Sequence, residues 1–453
     1  MNRRILAFLT LAVLPLMVLG QKKPLSHNDY DGWKNIRQQS ITDDGAWIKY
    51  EINPQEGDGN LYLYNVKNKT TEKFERGFSS AFSAENDYFV YLVKPEFELT
   101  RQAKRDKKKA DELPKNNLGI KMLKGGNDIS IERVKSFKIF EDKGAWMVYL
   151  MEKPVQEKKG KKEGEEEAEK ETRPQSRRPG GAKGNKADGT ELVIFNPVSE
   201  VKHSFKDVID YNLGRDGESI AFVQSTTDST KIKHFVVKLF SVSDESVTEI
   251  FTGDGDLKKL TISDSGTEQA FMFTSDTSDV KVYSLYLGQN GSAEKIVDCS
   301  TGGMKKDWSV SENGSLQFSE SGKRLFFACA EKPLEEPEDK RLKEEKYSLD
   351  IWSWHDDLLQ PQQKVNLSRE KRRTYQAVYH IADNKMVQLA DEDMPSVRLL
   401  MKRDGDIAVG SSNLKYMKMN SWESTRYNDY YTVDVKTGER TLVLEAAPSS
   451  VVF

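Results

Sequence analysis

The sequence predicts an all-β fold, a β-propeller of about seven (seven to eight) four-stranded antiparallel blades with a disordered, charged insert. Three observations predict it. One turn-and-strand pattern recurs at roughly 40 to 50 residues. No helical periodicity fills the intervals between its copies. Parallel strands and helices never alternate as they do in an α/β fold.

Composition sets the outer bounds. The 453 residues are 37% hydrophobic and 31% charged, which suits a globular chain with a sizeable core and one polar insert. Lys and Arg number 69 against 72 Asp and Glu, a net charge of -3, so no basic excess marks a nucleic-acid partner. Two cysteines exclude a disulfide scaffold and a Cys-rich zinc site. Five histidines, none within four residues of another, exclude the HExxH type of metal site.

The chain opens with residues 1–20, read as a secretory signal peptide. Arg3 and Arg4 precede an apolar run broken only by Pro15, and Val18-Leu19-Gly20 supplies the cleavage position before Gln21. The apolar run spans ~22 Å at ~1.5 Å per residue, short of a ~30 Å hydrocarbon core, which argues against an anchor. Gln21 also stands where a lipoprotein needs Cys. The expected location is periplasmic or extracellular, with no membrane span after cleavage.

Residues 21–453 carry the repeats. Asp44-Gly45 leads into Trp47-Ile48-Lys49-Tyr50, then Leu61-Tyr62-Leu63-Tyr64. Asn86-Asp87 before Tyr88-Phe89-Val90-Tyr91 is a degenerate copy. Lys143-Gly144 leads into Trp146-Met147-Val148-Tyr149, then Leu192-Val193-Ile194-Phe195. Asp216-Gly217 precedes Ile220-Ala221-Phe222-Val223 and Phe235-Val236-Val237. Ser265-Gly266 precedes Ala270-Phe271-Met272-Phe273 and Val282-Tyr283-Ser284-Leu285-Tyr286. Ser321-Gly322 precedes Leu325-Phe326-Phe327 and Ile351-Trp352-Ser353-Trp354. Asp404-Gly405 precedes Ile407-Ala408-Val409 and Tyr430-Tyr431-Thr432-Val433. X-Gly makes a tight hairpin because Gly accepts positive φ, and the β-branched and aromatic flanks fit a pleated surface. Polar turns at residues 65–68 and 435–438 close a second hairpin, so each copy makes four strands. The units run 37–78, 79–136, 137–207, 208–254, 255–303, 314–391 and 394–447. A pair of β-sandwiches is the alternative. The tail Ser449-Ser450-Val451-Val452-Phe453 reads as the opening strand of a further unit, and the chain is expected to be a fragment of a longer protein.

Two inserts interrupt the units. Residues 157–189 are nearly free of apolar side chains, alternate Lys runs with Glu165-Glu166-Glu167, and are expected to be disordered. Residues 97–114, with Arg101-Gln102-Ala103-Lys104-Arg105-Asp106-Lys107-Lys108-Lys109, are expected to form a short exposed helical excursion rather than a nucleic-acid contact.

The residues of chemistry are sparse. No G-x-S-x-G elbow, P-loop, dinucleotide fingerprint or EF-hand loop is present, so no catalytic, cofactor-binding or metal residue is assigned and no cofactor is expected. Gly410-Ser411-Ser412 lacks the second glycine and follows a blade strand. Asp356-Asp357 after His355 reads as a polar turn, Glu335-Glu336 and Glu338 as a solvated loop, and His380 as a strand residue. Cys299, placed at a strand end, and Cys329, placed in a second strand, sit in consecutive units. Geometry alone decides whether they pair.

Five ordered stretches carry a resemblance. They are residues 26–33 (SHNDYDGW), 113–120 (LPKNNLGI), 349–356 (LDIWSWHD), 359–363 (LQPQQ) and 427–434 (YNDYYTVD). Together with the lysine-rich excursion they resemble the N-terminal propeller of exported prolyl oligopeptidase family (dipeptidyl peptidase-like) serine peptidases of Bacteroidetes type, over essentially all of 22–453. In that family the propeller precedes an α/β-hydrolase domain with a Ser-Asp-His triad and restricts access to peptides. The resemblance therefore implies the substrate-gating propeller of a secreted peptidase whose catalytic domain is absent from this chain. No triad residue carries over, and the chain alone is expected to be inactive. Some relatives hold a substrate's N-terminus with a pair of propeller glutamates; Glu335-Glu336 is adjacent but lies in a long loop and is not matched to that pair. The competing reading is a free-standing periplasmic propeller that binds a protein or peptide. A sugar- or lyase-type propeller enzyme would need carboxylates or His at the channel, and the scattered histidines make that weak. Peptide specificity, oligomeric state and ring closure are not legible in the sequence.

Overall fold

The computed structural model describes residues 25–154, 189–229, 231–335, 341–347 and 349–449. The expected signal peptide, the insert up to residue 188 and the tail 450–453 lie outside the described residues. Among the described residues, six antiparallel sheets follow one another, and sequence neighbours pair within each except in the fifth, where β20 and β21 both pair with β22. The first contains β1 (Lys34–Ile41), β2 (Trp47–Pro54), β3 (Asn60–Asn65) and β4 (Thr70–Glu75). The second contains β5 (Gly77–Phe82), β6 (Tyr88–Val93), β7 (Asn117–Met122) and β8 (Ile129–Ile131). The third has seven strands: β9 (Val134–Ile139), β10 (Met147–Met151), β11 (Thr190–Asn196), β12 (Val201–Leu213), β13 (Ser219–Thr227), β14 (Lys233–Ser241) and β15 (Val247–Asp254). The fourth contains β16 (Asp256–Ile262), β17 (Gln269–Thr274), β18 (Ser284–Gln289) and β19 (Ser292–Val297). The fifth contains β20 (Trp308–Val310), β21 (Gln317–Phe318), β22 (Arg324–Glu331), β23 (Tyr375–His380) and β24 (Lys385–Gln388). The sixth contains β25 (Ser396–Arg398), β26 (Ile407–Ser412), β27 (Tyr427–Asp434) and β28 (Arg440–Pro448).

The chain divides into two compact units. The first holds the first two sheets, apart from the hairpin ends 82–89 and 122–127. In it Leu61 and Leu63 of β3 are buried, and Tyr50 stacks on Tyr62 at 5.2 Å across the strand pair. Buried Glu51 accepts from the Ser79 N–H at 3.1 Å and from Asn53 Nδ2 at 3.0 Å.

The second unit holds the remaining sheets. Apolar clusters lie between the two halves of the third sheet and between the sheets that follow it. Val148 and Ile194 meet Ile220 and Phe222, Val223 and Phe235 meet Leu257 and Phe271, and Met272 and Leu285 meet Phe327 and Tyr379. Phe326 and Val378 meet Ala408 and Val433. β12, in the middle of the third sheet, lies beside both β9 of the same sheet and β16 of the fourth. Ser136 of β9 shares a 3.0 Å hydrogen bond with Tyr211 of β12, and Asn212 donates to the Leu260 carbonyl of β16. Antiparallel meanders packed face to face are the arrangement of propeller blades, so the expected all-β propeller class is the one observed.

The third and fourth expected units are one continuous sheet. β12 is 13 residues long; its first half pairs with β11 and its second with β13. Val208 is paired on both sides, and Asp207 beside it has a left-handed φ of 59°. The expected boundary at 207/208 is this bend.

The X-Gly hairpins are present where the sequence places them. Gly217 shows why glycine is required: φ is 86°, and a Cβ there would stand 2.3 Å from the Lys143 carbonyl oxygen. The last copy differs, because Met401, Lys402 and Arg403 take the left-handed turn instead of Gly405.

Three expectations are corrected. Ile351-Trp352-Ser353-Trp354 is not a strand; Ile351, Trp352 and Trp354 are 71%, 66% and 83% exposed. The partner of β22 is β23, whose own alternation buries Tyr375, Ala377 and Tyr379 in the inter-sheet cluster. A helix, Gln360–Glu370, precedes it. The helical excursion covers only Phe97–Arg105, because Lys107 adopts a left-handed φ of 52° and stops it short of 114. Cys299 lies beyond the end of β19 rather than on it, and Cys299 and Cys329 are both free thiols.

Candidate functional site

A cavity of about 700 Å³ opens in the second unit. Its wall is built from the beginnings of β9, β11, β14 and β16, the bend of β12 and the end of β13. Register breaks create the space. β11 and β12 slip between Thr190 and Leu192, β12 and β13 between Val208 and Asp210, and β16 and β17 between Lys258 and Thr261. Each slip bends a strand and re-aims its side chains. Gly189 permits the closest approach, since a Cβ there would lie 2.1 Å from the Asp207 carbonyl carbon.

The lining combines an apolar floor with charge. Phe235, Leu257 and Val208 are buried beneath it. Lys135, Lys233, Lys258 and Lys259 face Asp207 and Asp210, so positive charge is in excess. Burial pushes the Asp210 carboxyl above the ordinary carboxylate range, against the pull of the Tyr211 N–H, Lys138, the Leu260 N–H and Lys259. Burial lowers the Lys258 ammonium, and the like charges of Lys281 and Lys259 add to that. Lys258 pairs with Glu312 and lies over the Tyr283 ring at 5.1 Å. Behind the wall, Tyr283 donates to buried Asp256 at 2.7 Å. Lys138 donates to the Tyr211 carbonyl at 2.8 Å, and burial lowers its ammonium. The hydroxyls of Thr190, Ser225, Thr226 and Thr227 complete the polar lining. The Thr190 Oγ1 is buried with no hydrogen-bond partner among the described residues. Such a wall suits an extended ligand with polar or anionic groups along an apolar stem.

The residues weighed from the sequence lie elsewhere. Ser411 and Ser412 are paired strand residues of β26, and the Ser412 hydroxyl donates to the Asp393 carbonyl at 2.8 Å. His380 is buried in β23 with Nε2 3.0 Å from the Val435 carbonyl, a structural role. His355 packs against Trp354, and Asp356 accepts from Gln363 at 3.0 Å in the turn before the helix Gln360–Glu370. Glu335 is exposed, and Glu336 and Glu338 lie outside the described residues. Among the described residues, no group of three or more His, Cys, Asp or Glu is placed to hold a metal ion, and no helix is long and apolar enough to cross a membrane. The cavity residues themselves went unread in the sequence. Their lysines are scattered among strand beginnings, and only the bend at 207/208 coincided with a unit boundary.

No family model matches the sequence, and no curated protein matches it. The chain is similar to the β-propeller domain of the Trilobed protease from Pyrococcus furiosus, with 10% identity and a TM-score of 0.36, covering 91% of this chain and 99% of that one. It is similar to Porphyromonas gingivalis dipeptidyl peptidase 4, with 11% identity and a TM-score of 0.42, covering 91% and 53%. It is similar to Pyrococcus horikoshii acylaminoacyl peptidase, with 8% identity and a TM-score of 0.37, covering 92% and 53%. The chain spans about half the length of these two peptidases.

Proposed function

We propose that this chain is the substrate-gating propeller portion of an exported prolyl oligopeptidase-like serine peptidase, and that it has no peptidase activity alone. The observation that carries the reading is the ordered set of five resembling stretches along a chain that folds into successive antiparallel sheets. The apolar, charge-lined cavity adds support, because a gating module needs a wall that peptides contact. Its share of the chemistry would be selection: charge and hydroxyls orient a peptide, and sheet walls exclude larger chains.

The test begins with the genomic DNA beyond the codon for Phe453. An in-frame continuation of a few hundred residues with Gly-x-Ser-x-Gly is expected, and its whole product should react with a serine-directed fluorophosphonate while this chain alone does not. A stop codon directly after Phe453 would refute the peptidase reading. Export is tested by N-terminal sequencing of the protein from the periplasm or medium, where Gln21 is the expected first residue. The second reading is a free-standing propeller that binds peptides; what favours it is that every described residue lining the cavity belongs to the second unit.

A further inference from the structure

We propose that the cavity of the second unit binds peptides through their carboxylates, with Lys135, Lys233 and Lys259 as the recognising charges. The proposal deepens the peptide-contacting reading above and rests on it.

The balance of charge is the first argument. Four lysines face two aspartates in the lining. Lys258 is already matched by Glu312. Lys135, Lys233 and Lys259 make no ion pair with a carboxylate among the described residues. Asp210 does not neutralise the group, since it is held by the Tyr211 N–H and shares its field between Lys138 and Lys259. An anionic ligand would therefore meet unmatched positive charge, whereas a cationic one would add to it.

The second argument is the lining beneath the charges. Phe235 and Leu257 offer a buried apolar floor. The Thr190 hydroxyl has no hydrogen-bond partner among the described residues. A volume of about 700 Å³ accommodates several residues of an extended chain. Apolar floor, hydroxyl and surplus ammonium groups together fit a peptide bearing Asp or Glu side chains, or a free C-terminus, better than a simple inorganic anion.

The test is fluorescence anisotropy of the whole chain with labelled pentapeptides. One pair carries Glu-Glu or Gln-Gln at its centre, and each is made with a free or amidated C-terminus. The Glu-Glu peptide is expected to bind about tenfold more tightly than Gln-Gln at low salt, with the gap closing near ~1 M salt. K233Q and K259Q should each weaken the acidic peptide about fivefold and leave the neutral one unchanged. K135E, a charge reversal outside the core, should weaken it further. A preference that follows only the free C-terminus would also support the proposal and would make the terminal carboxylate the recognised group. Equal binding of acidic and neutral peptides would overturn the proposal while sparing the peptide-contacting reading. Binding of none of the four would overturn both.

Discussion

Replacing Phe271 with Ala should remove a large part of the second unit's stability. Phe271 lies in β17, where all six residues are buried, and is itself 0% exposed. Its ring stacks on Tyr286 at 5.5 Å with planes 9° apart, and meets Phe251 at 5.0 Å. Removing a fully buried ring costs about 3–5 kcal/mol in lost transfer energy and residual cavity. Each lost aromatic contact adds about 0.5–1.5 kcal/mol beyond area. Both flanking strands hold the site open, so little collapse can offset the loss, and the expected destabilisation is about 5 kcal/mol. F271L keeps much of the volume and should lose about 1–2 kcal/mol. L442A, on exposed β28, should change stability by less than about 0.5 kcal/mol. Urea unfolding followed by tryptophan fluorescence measures all three, with a lowered midpoint and unchanged slope expected for F271A. A loss below about 1.5 kcal/mol for F271A, or one equal to that of F271L, would refute the packing argument.

Further predictions concern thiols, charge and backbone. Under native conditions iodoacetamide should label exposed Cys299 and not Cys329, whose thiol burial pushes up; denaturant should release the second. Failure of both to react in denaturant without reductant would mean that they are bridged. Burial would raise the Asp429 carboxyl, but bonds from Lys415, Tyr416 and the Ala446 N–H outweigh it and hold the group low. A lowered folded pKa contributes stability that is complete above the ordinary value of about 3.9 and is lost as pH falls through the folded one. The gap between wild type and D429N should therefore be full at pH 7 and shrink below about pH 4; a gap constant down to pH 3 would contradict this. Arg215 lies within 3.2 Å of Glu141, 3.1 Å of Asp142 and 3.9 Å of Glu320. R215Q should destabilise by leaving these carboxylates to repel one another, and ~1 M salt should reduce the loss; an equal loss at both salts would assign it to packing. G189A should push β11 from β12 and alter cavity binding more than the exposed control L442A, read in the anisotropy assay above.

The hairpins were legible because their signals are local. Asp216-Gly217 and Ser265-Gly266 name a conformation that few other residue pairs adopt, and both glycines have positive φ. The strand cores were legible because a pleat imposes a period of two, as in Leu61 and Leu63 of β3. Trp352 and Trp354 misled for the same reason. Alternating apolar residues make a strand only when an edge is free to pair, and Tyr375–His380 occupies the edge of β22. The cavity was hidden because its lysines come from separate strands and its volume from register slips. A slip depends on how neighbouring sheets pack, and no residue type announces it.

The continuity of β12 bears on how the second unit folds. In a chain of separate sheets, each new sheet begins with a connection that must be closed at an entropic cost. β12 has no such connection: its last paired residue with β11 is its first with β13. Once the hairpin of β11 and β12 forms, the template for β13 is already extended and in place. The two halves of this sheet should therefore protect their amides from exchange as one cooperative block. Between β10 and β11 the opposite holds, because the long insert separates strands that are adjacent in the sheet. Closure entropy grows only with the logarithm of length, about 0.6 kcal/mol per doubling, so a large excursion there taxes the rate of folding more than the stability of the product.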